Sequence, residues 1–193
     1  MNRITQLDPT AATGKSKQLF EEVQAKLGIV PNVLRVLANA PAALEGYLRL
    51  SDALAGGNFN ARVREQIALA VAGSNLCAYS LAAHAFFGGR AGLTEKEIVD
   101  AGHAVAVHAK TDAILKLARN VVVERGEVSD AELDQAHACG LTDGEIVETV
   151  ANVVLNILTN YVSHVAGAMV DFGEAKLSAA NSNRVHDHSG AEL

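Results

Sequence analysis

A chain of 193 residues with 49% hydrophobic residues can bury a core of its own and is too apolar for a disordered segment. Sixteen basic against 22 acidic residues leave a formal charge of -6, with no run of Lys or Arg, which excludes a nucleic-acid partner held through its phosphates. Two cysteines are too few for a disulfide scaffold, and no HExxH or paired CxxC spacing marks a metal site, so neither metal nor cofactor is expected. Aromatics make up only 4%, without Trp, and Ala, Val and Leu must fill the core. That favours closely packed helices, an all-α single-domain bundle, over a β-sandwich.

Residues 1–12 read as an irregular lead-in without the apolar stretch of a signal peptide. "GKSKQLFEEVQAKLG" carries Leu19, Phe20, Val23 and Leu27 at helical spacing, with Gly28 as its stop. Pro31 and Pro41 suit the first turns of the next two helices, the second ending at Gly56-Gly57. Thr94 with Glu97, Ser129 with Glu132 and Thr142 with Glu145 have capping-box spacing and mark three helix starts. The late segment "VANVVLNILTNYVSHVAGAMV" is apolar, but three Asn and a His interrupt it below a span of ~20 apolar residues. A soluble, cytoplasmic protein with no membrane partner is the expectation. The helical domain is placed at 1–175 and a polar flexible tail at 176–193, where His186 and His188 are bystanders. Glu65 precedes His84 by nineteen residues, as Glu145 precedes His164. Two related helical halves and chance similarity between alanine-rich helices both account for this.

The stretch "REQIALAVAGSNLCAYSLAAHAFFGG" carries the candidate chemistry. Gly73-Ser74-Asn75 can break one helix and start another, capped by Ser74 or Asn75. Cys77 then falls in the first turn of the new helix, where backbone N–H groups favour a thiolate. A small buried hydrophobe is the other fate of a free cysteine. Cys77, Ser80 and His84 at i, i+3 and i+7 share one helix face, with Ser80 between. Glu65, on the preceding helix, can orient or charge the His84 imidazole. Carboxylate, imidazole and thiol then form a proton relay; a core histidine paired to a carboxylate uses the same residues.

Glu65, Cys77, Tyr79, position 80 and His84 resemble the pattern E…CxYCxxxH of the alkyl hydroperoxidase D-like, peroxidase-related branch of the carboxymuconolactone decarboxylase family. The resemblance extends from about residue 5 to 173 and includes "GLTEKEI" and "NVVLNILTNYVSHVAG". It implies an all-α fold, a homo-oligomer (trimer or hexamer), and two thiols that cycle between dithiol and disulfide while reducing peroxides. Glu65, Cys77 and His84 match, with Tyr79 in support. Position 80 does not: it is Ser80, which cannot form a disulfide. An engineered exchange, a natural variant whose sulfenic acid is resolved by an external thiol or dithiol, and a protein that has left redox chemistry all fit.

The leading function is therefore a thiol-dependent hydroperoxide reductase acting on a small-molecule hydroperoxide, impaired or altered by Ser80. The alternative is a non-redox decarboxylase or lyase on a small carboxylated lactone, with Glu65 and His84 as acid and base; an arginine clamp, from Arg62 or Arg64, would support it. A helical oligomer without catalysis is the third reading. Asn152, Asn156, Asn160 and His164 recur every four residues as a polar stripe on an apolar helix. It reads as an interhelical hydrogen-bond seam, or as a pocket wall that includes Tyr161 and His164.

Overall fold

Each helix start read from Ser or Thr hydroxyls is present, and the elements between them are all helices. The computed structural model describes residues 3–172. Among the described residues the order is α1 (Gly14–Leu27), α2 (Asn32–Leu37), α3 (Pro41–Ala55), α4 (Ala61–Ser74), α5 (Ala78–Arg90), α6 (Glu95–Gly102), α7 (Ala109–Val123), α8 (Asp130–Ala138) and α9 (Asp143–Ala166). Thr94, Ser129 and Thr142 close complete capping boxes on α6, α8 and α9. Gly28 stops α1 at φ 80°, a left-handed conformation that only glycine adopts cheaply. Pro41 opens α3 as its first residue, whereas Pro31 sits one position earlier, as the N-cap of α2.

The central element is α4. Residues 67–72 are buried without interruption, because α5, α6, α7 and α9 all pack on it. Two cores form on either side. One gathers Ile67, Leu69, Leu115 and Val153 with α6, α7 and α8; the other gathers Leu19, Phe20, Val23, Leu34, Leu44 and Cys77. Phe172, beyond α9, joins the second core against Tyr79, Phe86 and Phe87. The lead-in is irregular but tethered. Arg3 N donates to Ala166 O at 2.7 Å, and Arg35 Nε donates to Leu7 O at 2.9 Å.

One reading of the sequence is corrected. Glu145 and His164 lie at opposite ends of the single helix α9, whereas Glu65 and His84 lie on two helices that fold back on each other. The shared nineteen-residue spacing is not a repeated half. α4 ends at Ser74, within the stretch Gly73-Ser74-Asn75 read as its break, and Gly73 has a further use. A Cβ there would collide with the carbonyl oxygen of Gly102, so this glycine lets α6 approach α4. By length and composition α9 could cross a membrane, but 44% of its most apolar window is buried against the bundle. The tail placed at 176–193 lies outside the described residues.

Candidate active site

The site is built where α4 turns into α5. Asn75 is the C-cap of α4 and Leu76 follows at φ 53°. Leu76 N donates to Gly73 O and Cys77 N to Ala72 O, the two bonds of a Schellman motif. A leucine thus occupies the left-handed position usually given to glycine, and it is 80% exposed. Cys77 is not in the first turn of α5 but is its N-cap. Neither Ser74 nor Asn75 caps that helix, because both still belong to the end of α4.

The Cys77 thiol is 1% exposed and donates to Ser80 Oγ at 3.3 Å, with the main-chain oxygen of Asn160 3.9 Å from the sulfur. Asn160, fully buried on α9, donates from Nδ2 to Ser80 Oγ at 3.0 Å and accepts from Asn75 Nδ2 at 3.2 Å. Ser80 is therefore held between a thiol and an amide from a helix eighty residues away. Tyr79 points elsewhere: its hydroxyl accepts from Val33 N at 3.2 Å and so ties α5 to the start of α2. Burial pushes that hydroxyl far above the ordinary tyrosine range, and the Asp171 carboxylate adds to the effect against the Val33 N–H.

One turn further along α5, His84 Nδ1 lies 2.9 Å from Glu65 Oε2 on α4. An ionised carboxylate only accepts, so Nδ1 is assigned the proton and Nε2 is left free. The pair lines a cavity of about 180 Å³ whose apolar walls include Val23, Leu27, Leu34, Leu48 and Phe87. Tyr47 completes its polar end. Loss of solvent, then the negative charge of Glu65, raises the Tyr47 hydroxyl to about 12, so it is a neutral donor. Glu22, Lys26, Ser51 and Asp52 rim the opening, where Lys26 pairs with Asp52 across α1 and α3.

The structure thus brings Glu65 to His84, and Cys77 to Ser80, as two adjacent pairs on α5. Among the described residues no hydrogen bond joins His84 to Ser80 or Cys77, and neither of those lines the cavity. Tyr161 and His164 are also absent from its walls. Tyr161 is exposed, and His164 Nε2 lies 3.1 Å from Asn75 O. The polar stripe is a seam only in its second half: Asn152 and Asn156 donate to Glu148 O and Asn152 O of their own helix. A larger cavity of about 390 Å³ between α7 and α8 contains Cys139, whose sulfur accepts from Gln135 Nε2. Its Asp112 and Lys116 are paired with each other at 2.7 Å, and no histidine lines it. Cys77 and Cys139 are both free and belong to different cores.

The family description "Carboxymuconolactone decarboxylase family" matches residues 41–124, from the start of α3 past the end of α7. That match covers less than half of the chain and marks residues 41–124 as similar to the carboxymuconolactone decarboxylase family. The match contains Glu65, Cys77, Ser80 and His84. Solved structures share the fold. A peroxidase-related protein from Ralstonia eutropha JMP134, described as an alkylhydroperoxidase AhpD core, is similar at TM-score 0.78 and 24% identity, over 88% of this chain and 92% of that one. A peroxidase-related protein from Silicibacter sp. TM1040 is similar at TM-score 0.72 and 24% identity, over 86% and 92%. The debrominase Bmp8, as a cysteine-to-alanine variant in complex with 2,3,4-tribromopyrrole, is similar at TM-score 0.75 and 13% identity, over 88% and 91%. No curated protein matches the sequence.

The sequence did not mark Tyr47 or the link from Asn160 to Ser80. The four-residue asparagine stripe was the signal for Asn160; its partner was not visible. Nothing in the sequence around Tyr47 marks it apart from a core aromatic. Arg62 and Arg64 supply no clamp at the cavity: Arg62 pairs with Glu97, and Arg64 donates to Phe59 O.

Proposed function

We propose that the protein is a thiol-dependent hydroperoxide reductase in which Cys77 works without a neighbouring resolving cysteine. The observation that carries this reading is the placement of the Cys77–Ser80 pair on the same helix as the Glu65–His84 pair, which faces an apolar cavity. The Cys77 thiolate attacks the outer oxygen of an organic hydroperoxide; the S–O bond forms as the O–O bond breaks. The thiol proton, taken by His84 Nε2 as the thiolate forms in the opened site, is returned by the Glu65-supported imidazolium to the departing alkoxide, which leaves an alcohol and a Cys77 sulfenic acid. A small external thiol then attacks the sulfenic sulfur, releasing water, and a second thiol equivalent frees Cys77 as the external disulfide forms. Because the sulfur is buried, the cycle requires local opening of the α4–α5 junction.

The partners of this reading are a small hydroperoxide, an external thiol or dithiol, and further copies of the chain. Val147, Val150, Val154, Leu158, Tyr161 and Val165 are exposed at three- and four-residue steps along α9. Such a stripe suits packing against the same stripe of a second copy in a trimer or hexamer. A second reading has its own support: Tyr47, Glu65 and His84 line the cavity and Cys77 does not. That favours acid–base chemistry without a thiol, as in a decarboxylase or lyase. Turnover of an organic hydroperoxide with a dithiol reductant separates the two. Cys77→Ala should abolish it and His84→Gln should lower it by roughly 100-fold. Full turnover in Cys77→Ala would overturn the thiol reading.

A further inference from the structure

The turn between α4 and α5 is strained. Leu76 stands at φ 53°, in the left-handed region, and is 80% exposed, so neither glycine's backbone freedom nor buried contacts offset that conformation. Such a residue persists only where its surroundings hold it. Of the three described non-glycine residues at positive φ, only Leu76 adjoins a cysteine. Behind it are the two main-chain bonds that close α4. In front of it is Asn160. This side chain is fully buried on α9 and reaches both sides of the turn: Oδ1 accepts from Asn75 Nδ2 at 3.2 Å, and Nδ2 donates to Ser80 Oγ at 3.0 Å. His164, one turn further along α9, donates from Nε2 to Asn75 O at 3.1 Å. Asn75 and Ser80 bracket Leu76 and Cys77, so α9 clasps the short segment that carries the thiol. The Asn160 main-chain oxygen, 3.9 Å from the sulfur, completes the cover.

We propose that Asn160 is a latch on the Cys77 thiol. With its two side-chain bonds made, the turn is shut and the sulfur is enclosed. With them broken, Leu76 leaves the left-handed region, its strain is released, and the turn opens while the rest of the bundle stays folded. Two buried hydrogen bonds thus oppose one strained residue, which sets a small population of open turn in place of a permanent channel. Neither Cys77 nor Ser80 lines the Glu65–His84 cavity, so a reactant held there meets the sulfur only when the turn opens. This deepens the reductase reading by naming what regulates its thiol, and rests on that reading for the use of the opening. The latch itself is tested without peroxide, so either can fail alone.

The readout is the rate at which N-ethylmaleimide labels Cys77 in the full chain carrying Cys139→Ala, followed by intact mass with and without low urea. Asn160→Ala should raise the rate roughly tenfold or more and Asn75→Ala severalfold, because each releases bonds that close the turn. Leu76→Gly should lower it about threefold, because glycine removes the strain that favours opening. The rate should vary little with urea, as an opening that exposes little surface requires. Unchanged labelling in both asparagine variants, or a rate that follows urea as steeply as global unfolding does, would overturn the latch. Labelling of Leu76→Gly at or above the parent rate would overturn the strain behind it. If Asn160→Ala does not fold, Asn75→Ala and Leu76→Gly decide alone.

Discussion

Cys77 and His84 illustrate how far a residue can be read from its neighbours in sequence. The Glu65–His84 pair was legible because the residues lie on consecutive helices that must fold back on each other, and they meet at 2.9 Å. The burial of Cys77 was one of two fates the sequence left open, because the cover comes from α9 and from the core around α1 and α2. This has a direct consequence for thiol accessibility. In the native protein a bulky alkylating agent should label half-exposed Cys139 first and Cys77 at least about tenfold more slowly, with the difference vanishing on denaturation. Peptide mapping of a time course checks this, and preferential labelling of Cys77 would contradict it. Ser80→Cys provides the complementary gain. Cys77 Sγ already lies 3.3 Å from Ser80 Oγ, so a disulfide there needs little backbone movement. Turnover with a dithiol should rise at least tenfold. Non-reducing mass analysis of that variant after peroxide should show the bond between Cys77 and the introduced thiol as a loss of two hydrogens.

At the scale of elements, the helix starts marked by capping boxes were legible, and so was the place where α4 ends, but not how that end is made. Capping boxes use side chains adjacent in sequence, so Thr94, Ser129 and Thr142 announce α6, α8 and α9. The end of α4 depends on Gly102, which is distant in sequence, and on Leu76 in a conformation leucine seldom adopts. Gly73→Ala should therefore destabilise the fold by about 1–3 kcal/mol, as overpacking does, measured by urea denaturation. An unchanged midpoint would mean that α4 and α6 do not approach as described. The capping carboxylates also set an acid limit. Thr94 and Ser129 hold Glu97 and Glu132 below the usual glutamate range through main-chain bonds, and Lys110 together with Thr142 does so for Glu145. Groups with a lowered native value add stability above their unfolded value of about 4.5 and lose it as pH falls through the native one. The melting temperature should fall below about pH 4.5, and less steeply in Glu145→Gln than in the parent chain.

For the whole molecule, composition sufficed to give an all-helical fold, since few aromatics and abundant Ala, Val and Leu suit close helix packing. It did not reveal two cores divided by α4, nor that the Glu65–His84 pair lines the smaller of the cavities described. The outer stripe of α9 belongs to this scale. If copies pack through this stripe as proposed, the parent chain should sediment as an oligomer and Val154→Asp as a smaller species without loss of helix content; a monomeric parent chain, or an unaltered sedimentation coefficient in the variant, would contradict that packing.

The central claim is that Cys77 reduces peroxide as a single thiol. Intact-mass analysis of the full chain after brief exposure to an organic hydroperoxide, with a sulfenic-acid trap present, tests it most directly. The account predicts one trapped adduct that is lost in Cys77→Ala and retained in Cys139→Ala. No adduct, or one that survives in Cys77→Ala, would contradict it.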